Sequence, residues 1–557
     1  MSMKLLQLYY TSCKQGRSSG TGFQVYSHSE GLTEEEIVEL ERICMYVPPS
    51  HLPSQPTEEE IKNEFPVLFS SFQLQSGRYG ICQSVYVGKD YSERYGNYFS
   101  HCLILEEGKW PFAPILLYGS PILRTNLTKA ELEITHTPDY LPAISLERPN
   151  GSISFLSVQN FLRKNNRYDY LKKMLNGLLE DGSQPGSLIL TDEMEHIPYW
   201  IAAIQLAFPN QIANQLSFST YVYDPDREDY IIAATLDEGT RFSFAENMRR
   251  SDFCGFNFLQ DVHSHTENEY RYTETVVANE LEFNDIDTFM KGFTITQPTT
   301  ELDSFLDLKT IYKNQFTYIE PSRIQHAFTF AKNYLSSEKA FELMRDLPTE
   351  KLRDLSNDKN TAKIVSQFLI DVSQITRAEL HQETAAQFIV KKVYDFISEY
   401  DPEEIELFFH EQMNLIDTYY VRKSLLEDSY LIELENNLHE IDNVSYKFFY
   451  LKLATDIITS EKTMWNALSK VQQQFLLHLM KDCVPNPIFS LREWQDVTKD
   501  ATFFADAFLH LYEHEISPQL QRDYVQFFID LLDTNDDNEA WTDRCFEQLS
   551  QSVPGSK

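Results

Sequence analysis

The chain is 557 residues long, with 42% hydrophobic and 24% charged residues, the balance of a packed globular protein with room for roughly three or four domains. Its net charge of −36 is spread evenly, with 23 basic against 40 acidic residues in 1–300 and 25 against 44 in the remainder. A surface of that sign repels phosphate, and nucleic-acid affinity is mostly Lys/Arg neutralisation of phosphate, so direct nucleic-acid or anionic-membrane binding is not expected.

In chain order, MSMKLLQLYY has no apolar stretch of signal-peptide length, and no later run approaches the roughly 18 residues that span a bilayer. The expected location is the cytoplasm. Residues 4–12 and 22–28 read as strands joined by the polar turn CKQGRSSGTG. Thr33 and Glu36 have capping-box spacing ahead of Ile37, Leu40, Ile43 and Cys44, which recur at helical intervals. After the connector PPSHLPSQP, four segments read as β: FPVLFSSFQLQ, ICQSVYVGKD, NYFSHCLILEEG and FAPILLYG. Residues 155–180 read as one helix ending at the Gly182/Gly186 loop. SLILTD reads as a short strand, with Thr191 capping the helix that follows and Asp192, Glu193 and Glu195 in its first turn. LSFSTYVY and YIIAATL flank DPDRED and read as a hairpin. All but one of the 18 glycines lie at or before Gly292, and none stands between Gly292 and Gly555. Glycine supplies the positive φ of hairpins and phosphate-cradling loops, so the last part of the chain reads as helix punctuated by proline. IQHAFTFAKNYL, TAKIVSQFLIDVSQI, AAQFIVKKVYDFISEY, VSYKFFYLKLATDIIT and YVQFFIDLLD carry apolar stripes of period 3.6. The expected architecture is α+β: a β-rich domain over 1–145, an α/β domain over 146–298 and an all-helical region over 299–557.

Few residue constellations suggest chemistry. Asp261, His263 and His265 would share one face of an extended strand, and two imidazoles with a carboxylate suit zinc or iron. Centres of that kind need further ligands, and no histidine follows before His326, so the expectation is a polar loop with no metal. Arg94, Asn97 and His101 flank a strand start and form a candidate catalytic or ligand-binding group, weighed against a structural turn. His101 and Cys102 are adjacent on a strand and point to opposite faces, so they form no dyad, and Cys102 is expected to pack inside. Gly177 and Gly182 mimic phosphate-loop spacing without the lysine that reaches the phosphates, and no GxxxxGK[ST] or NKxD motif occurs. The chain is therefore not itself a P-loop NTPase, and no cofactor is expected. The densest basic cluster is Arg163, Lys164, Arg167, Lys172 and Lys173. Glu193, Glu195 and His196 read as a solvated helix start. The seven cysteines stand singly with no CxxC pair, which argues against a disulfide framework and a structural zinc site.

QLYYTS, GTGFQVYSHSEGL, RYGNYFSHCLIL and, far downstream, PYWIAAIQLAFPNQIANQLSFSTYVYDP together resemble the bacterial GTPase-associated protein family over about residues 1–300. Members of that family belong to multi-gene conflict (defence) systems encoded beside a GTPase. The resemblance implies an accessory protein working with a separate NTPase partner and supplies no catalytic residues. The function expected is a non-enzymatic scaffold or adaptor subunit of a cytoplasmic bacterial defence assembly, with a protein partner, an NTPase/GTPase encoded nearby. The alternatives are a hydrolase with its site near Arg94, Asn97 and His101, and a sensor that binds a phage or host protein through the helical region.

Overall fold

The computed structural model describes residues 2–17, 20–180, 187–244, 253–266, 268–281, 288–313 and 319–336. Further along it describes 364, 426–428, 431–432, 435, 444–460, 464–484, 486, 488–497, 501–515, 517–533 and 543. The chain divides into two compact units, Met1–Lys309 and Thr310–Lys557, and is α+β as expected, with the strands in the first unit.

The first unit is built on one 11-stranded sheet. β1 (Met3–Cys13) pairs antiparallel with β2 (Gly22–His28), and both carry long runs of buried residues. Such runs mark strands covered on both faces. Next in the chain come α1 (Glu34–Ile43) and α2 (Glu58–Glu64). The capping box at α1 forms as its sequence dictates: Glu36 N–H donates to the Thr33 hydroxyl (3.3 Å) and Thr33 N–H to the Glu36 carboxylate (3.0 Å). Ile37, Leu40 and Cys44 then pack onto Leu6, Leu8 and Tyr10 of β1. β3 (Leu68–Gln73), β4 (Tyr79–Lys89) and β5 (Tyr95–Leu105) follow as an antiparallel meander, with β5 against β1. On the face away from α1, Tyr9, Cys13, Tyr26 and Phe99 pack beneath Leu127, just before the single-turn α3 (Lys129–Leu132). β6 (Ile144–Leu146) closes on the start of β1.

FAPILLYG is not a strand. Pro114–Leu117 forms a 3-10 turn, for which a proline in the first turn is pre-set. Its backbone is satisfied locally and from outside the sheet: Ile115 N–H donates to Gln205 Oε1 (3.1 Å), and Gly151 N–H to Leu116 O (3.1 Å).

The segment read as one helix over 155–180 is two, α4 (Phe155–Leu162) and α5 (Arg167–Glu180). Asn165 and Asn166 interrupt it with φ of 52° and 56°, a left-handed conformation that asparagine tolerates better than most residues. β7 (Ser187–Thr191) leads to α6 (Ile197–Leu206) and α7 (Asn210–Ala213), then β8 (Phe218–Ser219) and β9 (Ile232–Ala234). Thr191 does not cap α6. It is fully buried, and its hydroxyl donates to Thr235 O (3.0 Å). Nor do β8 and β9 form a hairpin: they pair in parallel, Phe218 opposite Ile232. A crossover of about a dozen residues is the least that parallel neighbours need, and 220–231 supplies it around the 3-10 turn Pro225–Arg227. β10 (Phe253–Asn257) lies parallel to β7 on its other side, and β11 (Val262–His263) turns back on β10. The sheet order is β11-β10-β7-β9-β8-β3-β4-β5-β1-β2, with β6 beside β1.

The strands of 1–145 and of 146–298 therefore join edge to edge at β8 and β3, through Ser70–Ser219 and Ser71–Phe218. Among the described residues two longer helices follow, the second running past Lys309. In α8 (Arg271–Ala278) the Arg271 guanidinium donates to both oxygens of Asp307 (2.6 and 2.7 Å) in α9 (Leu302–Lys313).

In the second unit the described residues are helices and their connections: α10 (Pro321–Tyr334), α11 (Val444–Ser460), α12 (Lys470–Cys483), α13 (Leu491–Val497), α14 (Ala501–His514) and α15 (Pro518–Asp533). Ser469 and Gln472 form a capping box at the start of α12. Trp494 is fully buried, with Phe448 and Phe527 each 5.0 Å away. TAKIVSQFLIDVSQI and AAQFIVKKVYDFISEY lie outside the described residues apart from Ile364. No helix among the described residues is long and apolar enough to cross a membrane.

Candidate functional site at the carboxyl edge of the sheet

Arg94, Asn97 and His101 do not converge. Arg94 lies in the turn between β4 and β5, where its guanidinium donates to Asp90 (3.0 Å). The same carboxylate takes Ser92 and the Arg94 backbone, which holds it well down at about 2. Asn97, on β5, donates its Nδ2–H to Lys89 O across the turn (3.4 Å) and accepts at Oδ1 from the Thr11 hydroxyl and the Ser12 N–H of β1 (both 3.1 Å). His101 lies four residues on, about 13 Å at the rise of a strand, and is fully buried. Its Nδ1 accepts from the Arg124 N–H (3.0 Å), and Tyr9 meets its ring edge-on. Burial and the nearby Arg124 charge pull its pKa down to about 3. Arg94 and Asn97 thus fasten a turn, and His101 is a neutral imidazole inside the core.

Asp261, His263 and His265 do not share one extended face either. Asp261 occupies a turn at φ 52° and accepts from the Tyr170 hydroxyl (3.0 Å). His263 Nε2 accepts from Lys173 Nζ (3.3 Å) while its Nδ1–H donates to Ser264 O (3.0 Å). His265 is exposed.

Asp261 and His263 nonetheless border a more distinctive place. β7 stands between β9 and β10, all three parallel. The chain leaves β7 toward β9 on one side and later returns to β10 on the other. This makes the carboxyl ends of β7 and β10 a topological switch point, the position at which open α/β sheets present a crevice for ligands. Asp192 follows directly on β7 and is buried. Its Oδ2 accepts from Trp200 Nε1 (2.8 Å), and its Oδ1 accepts from the Glu193 N–H (2.8 Å) and His196 Nδ1–H (3.3 Å). The other imidazole nitrogen of His196 accepts from Arg167 (3.4 Å), whose guanidinium lies 3.8 Å over the Phe161 ring. Trp200 stacks on Phe258 at the end of β10 (4.5 Å, 6°), and Tyr170 meets Phe258 edge-on. Beside them Asp237 accepts from Asn257 and Gln260 (both 2.8 Å).

At this edge Phe161, Trp200, Phe258 and Tyr170 pack against one another, with the half-buried Arg167 and His196 held beside them. Burial lowers the Arg167 pKa and the Asp192 charge opposes that shift, yet an arginine remains cationic throughout. Asp192 orients His196 as a carboxylate orients a catalytic imidazole. The other nitrogen, however, meets Arg167 where a hydrolase would place a serine or cysteine. The arrangement suits recognition of a planar or anionic group more than bond cleavage.

Sequence reading missed this site because it depends on parallel pairing, and DPDRED imitates a hairpin turn. The motif positions it did flag carry packing. Gly177 lies inside α5, where an added Cβ would sit 2.6 Å from Cys254 Sγ of β10. The basic cluster is largely paired: Arg163 with Glu280, Lys172 with Glu269 (3.2 Å) and Glu274 (3.0 Å), Lys173 with His263. Glu193 and Glu195 are exposed.

Comparison with protein families matches residues 4–140 to the N-terminal domain, type 2, of GTPase-associated protein 1, and residues 158–260 to the middle domain of the same protein. Neither a curated protein nor a solved structure gives a match to the chain.

Proposed function

We propose, from the premise that this chain carries the N-terminal and middle domains of a GTPase-associated protein, that it is the non-enzymatic adaptor subunit of an assembly whose GTPase is a separate chain. The observation that carries the reading is the pair of matched domains in sequence order, joined through one sheet at β3 and β8. A shared sheet fixes their relative geometry, which suits a rigid platform for another protein better than two domains hinged for catalysis. The absence of a phosphate-loop lysine and of a guanine-binding motif from the sequence supports assigning GTP chemistry to the partner. Arg94 and Asn97 spend their polar atoms on Asp90, Thr11 and Ser12, which favours the adaptor over a hydrolase at this place.

The bacterial defence setting and the cytoplasmic location complete the proposal, with the acidic helical unit as a docking face for a partner carrying Lys/Arg. Complementary charge would raise the rate and specificity of encounter. The test is capture of the full-length chain from its native host, with proteins identified by mass spectrometry at low and high salt. Recovery of a GTP-binding protein, weakened by salt, supports the adaptor. Recovery of none at either salt rejects it.

A further inference from the structure

Cys44, Cys82 and Cys102 come from three different elements. Cys44 caps the end of α1, while Cys82 on β4 and Cys102 on β5 are direct cross-strand partners. Cys44 and Cys102 are 58 positions apart in sequence, yet their sulfurs lie 3.3 Å from one another. All three sulfurs fall within 4.8 Å of each other, and all three residues are fully buried. A lone buried cysteine packs as a small hydrophobe. Three sulfurs pointed at one spot are different, because a core that needed only volume would place carbon there. The spot lies in the cluster around Leu8, Tyr46 and Tyr221 beneath α1, remote in the fold from the carboxyl edge of β7 and β10.

We propose that Cys44, Cys82 and Cys102 form a three-sulfur site for a monovalent soft cation, copper(I). Thiolate sulfur selects copper(I) and zinc among the common metal ions. Zinc in a closed site takes four ligands, and among the described residues no fourth cysteine, histidine or carboxylate joins this group. Copper(I) is satisfied by the sulfurs present. Charge also favours it. Two thiols lose their protons to solvent as two copper–sulfur bonds form, the third sulfur keeps its proton and donates a lone pair, and copper remains monovalent. The site then holds one net negative charge instead of the larger charge that three thiolates would bring into an apolar core. The Ser84 hydroxyl lies 3.8 Å from the Cys82 sulfur and suits it to remain a thiolate.

The test titrates the reduced full-length chain without oxygen, using copper(I) delivered from a competing chelator, with zinc(II) in a parallel arm. The readouts are copper per chain after gel filtration and thiolate-to-copper absorption in the ultraviolet. One copper per chain is expected. It should be lost in Cys82→Ala and Cys102→Ala but kept in Cys13→Ala and Cys254→Ala, with circular dichroism confirming that each variant is folded. Copper should also raise the melting temperature of the unmodified chain, and this rise should vanish in the triple Cys44→Ala/Cys82→Ala/Cys102→Ala variant. No copper on the unmodified chain above the level of the triple variant would overturn the site, whatever the variants do. Retention of zinc in preference to copper would overturn its assignment to a monovalent ion.

Discussion

Burial holds the His101 pKa at about 3, against an ordinary value of 6.5, because a charge there would sit in the core beside Arg124. The unfolded chain takes up a proton below about pH 6.5 and the folded chain does not until near 3. The stabilisation from a neutral His101 is therefore complete above pH 6.5 and is lost as pH falls toward 3, at roughly 1.4 kcal/mol per pH unit. Between pH 7.5 and 5.0 the unmodified protein should lose about 2 kcal/mol more than His101→Gln, measured by urea unfolding at both pH values. Equal losses would show that His101 is not titrating as a buried group. Asp192 is held differently, by Trp200, Glu193 and His196. Asp192→Asn keeps its volume while removing the charge and one of its acceptor oxygens. It should destabilise the fold by roughly 1–3 kcal/mol, and a loss below about 0.5 kcal/mol in the same assay would contradict the hydrogen-bond assignment. Thr33 and Glu36 were legible as a capping box because both partners lie within one turn. The bonds of Asp192 were not, since Trp200 reaches it only once α6 has folded back over β7.

At the scale of elements, the seam between β3 and β8 is short, and Thr220 reinforces it. Its hydroxyl accepts from the Phe69 N–H and donates to Val67 O, both at 2.8 Å. Thr220→Val keeps the shape but leaves the Phe69 N–H unpaired inside the sheet, at about 2 kcal/mol. Urea unfolding should show that loss, and an unchanged midpoint would mean that the seam is held elsewhere. Gly151 is a second fixed point: a Cβ there would meet Leu116 O at 2.3 Å and Tyr118 O at 2.5 Å. Both contacts are with backbone that already accepts hydrogen bonds from this turn, so Gly151→Ala should destabilise by roughly 1–3 kcal/mol. A thermal melt matching that of the unmodified protein would refute this. Most strands of 1–145 were readable from local apolar and aromatic runs bounded by polar, glycine-containing turns, FAPILLYG and the short β6 excepted. SLILTD and YIIAATL read as strands and are β7 and β9, but their parallel pairing with each other and with β10 was not legible, because parallel neighbours are joined through long crossovers and their order is set by packing. Candidate residues along the chain were found by type; the switch point that gathers Asp192, His196 and Arg167 was invisible for that reason. The three core cysteines escaped in the same way, since β4 and β5 must pair and α1 must dock before their sulfurs meet.

For the whole molecule, a net charge of −36 and the pairing of Arg163, Lys172 and Lys173 with acidic or imidazole partners leave little to attract phosphate. Duplex DNA at physiological ionic strength should therefore not be retained by the purified chain, and a steep inverse dependence of binding on salt would contradict this. The same charge should make association with a basic protein surface salt-sensitive. The most direct test of an adaptor serving a separate GTPase is GTP turnover measured on three samples: the purified full-length chain, a GTP-binding protein captured with it from the native host, and the two mixed, with complex formation followed by gel filtration. No turnover by the chain alone is expected, with a stable complex in the mixture whose turnover belongs to the GTPase. GTP hydrolysis by the isolated chain, or two components that elute separately with and without nucleotide, would contradict it.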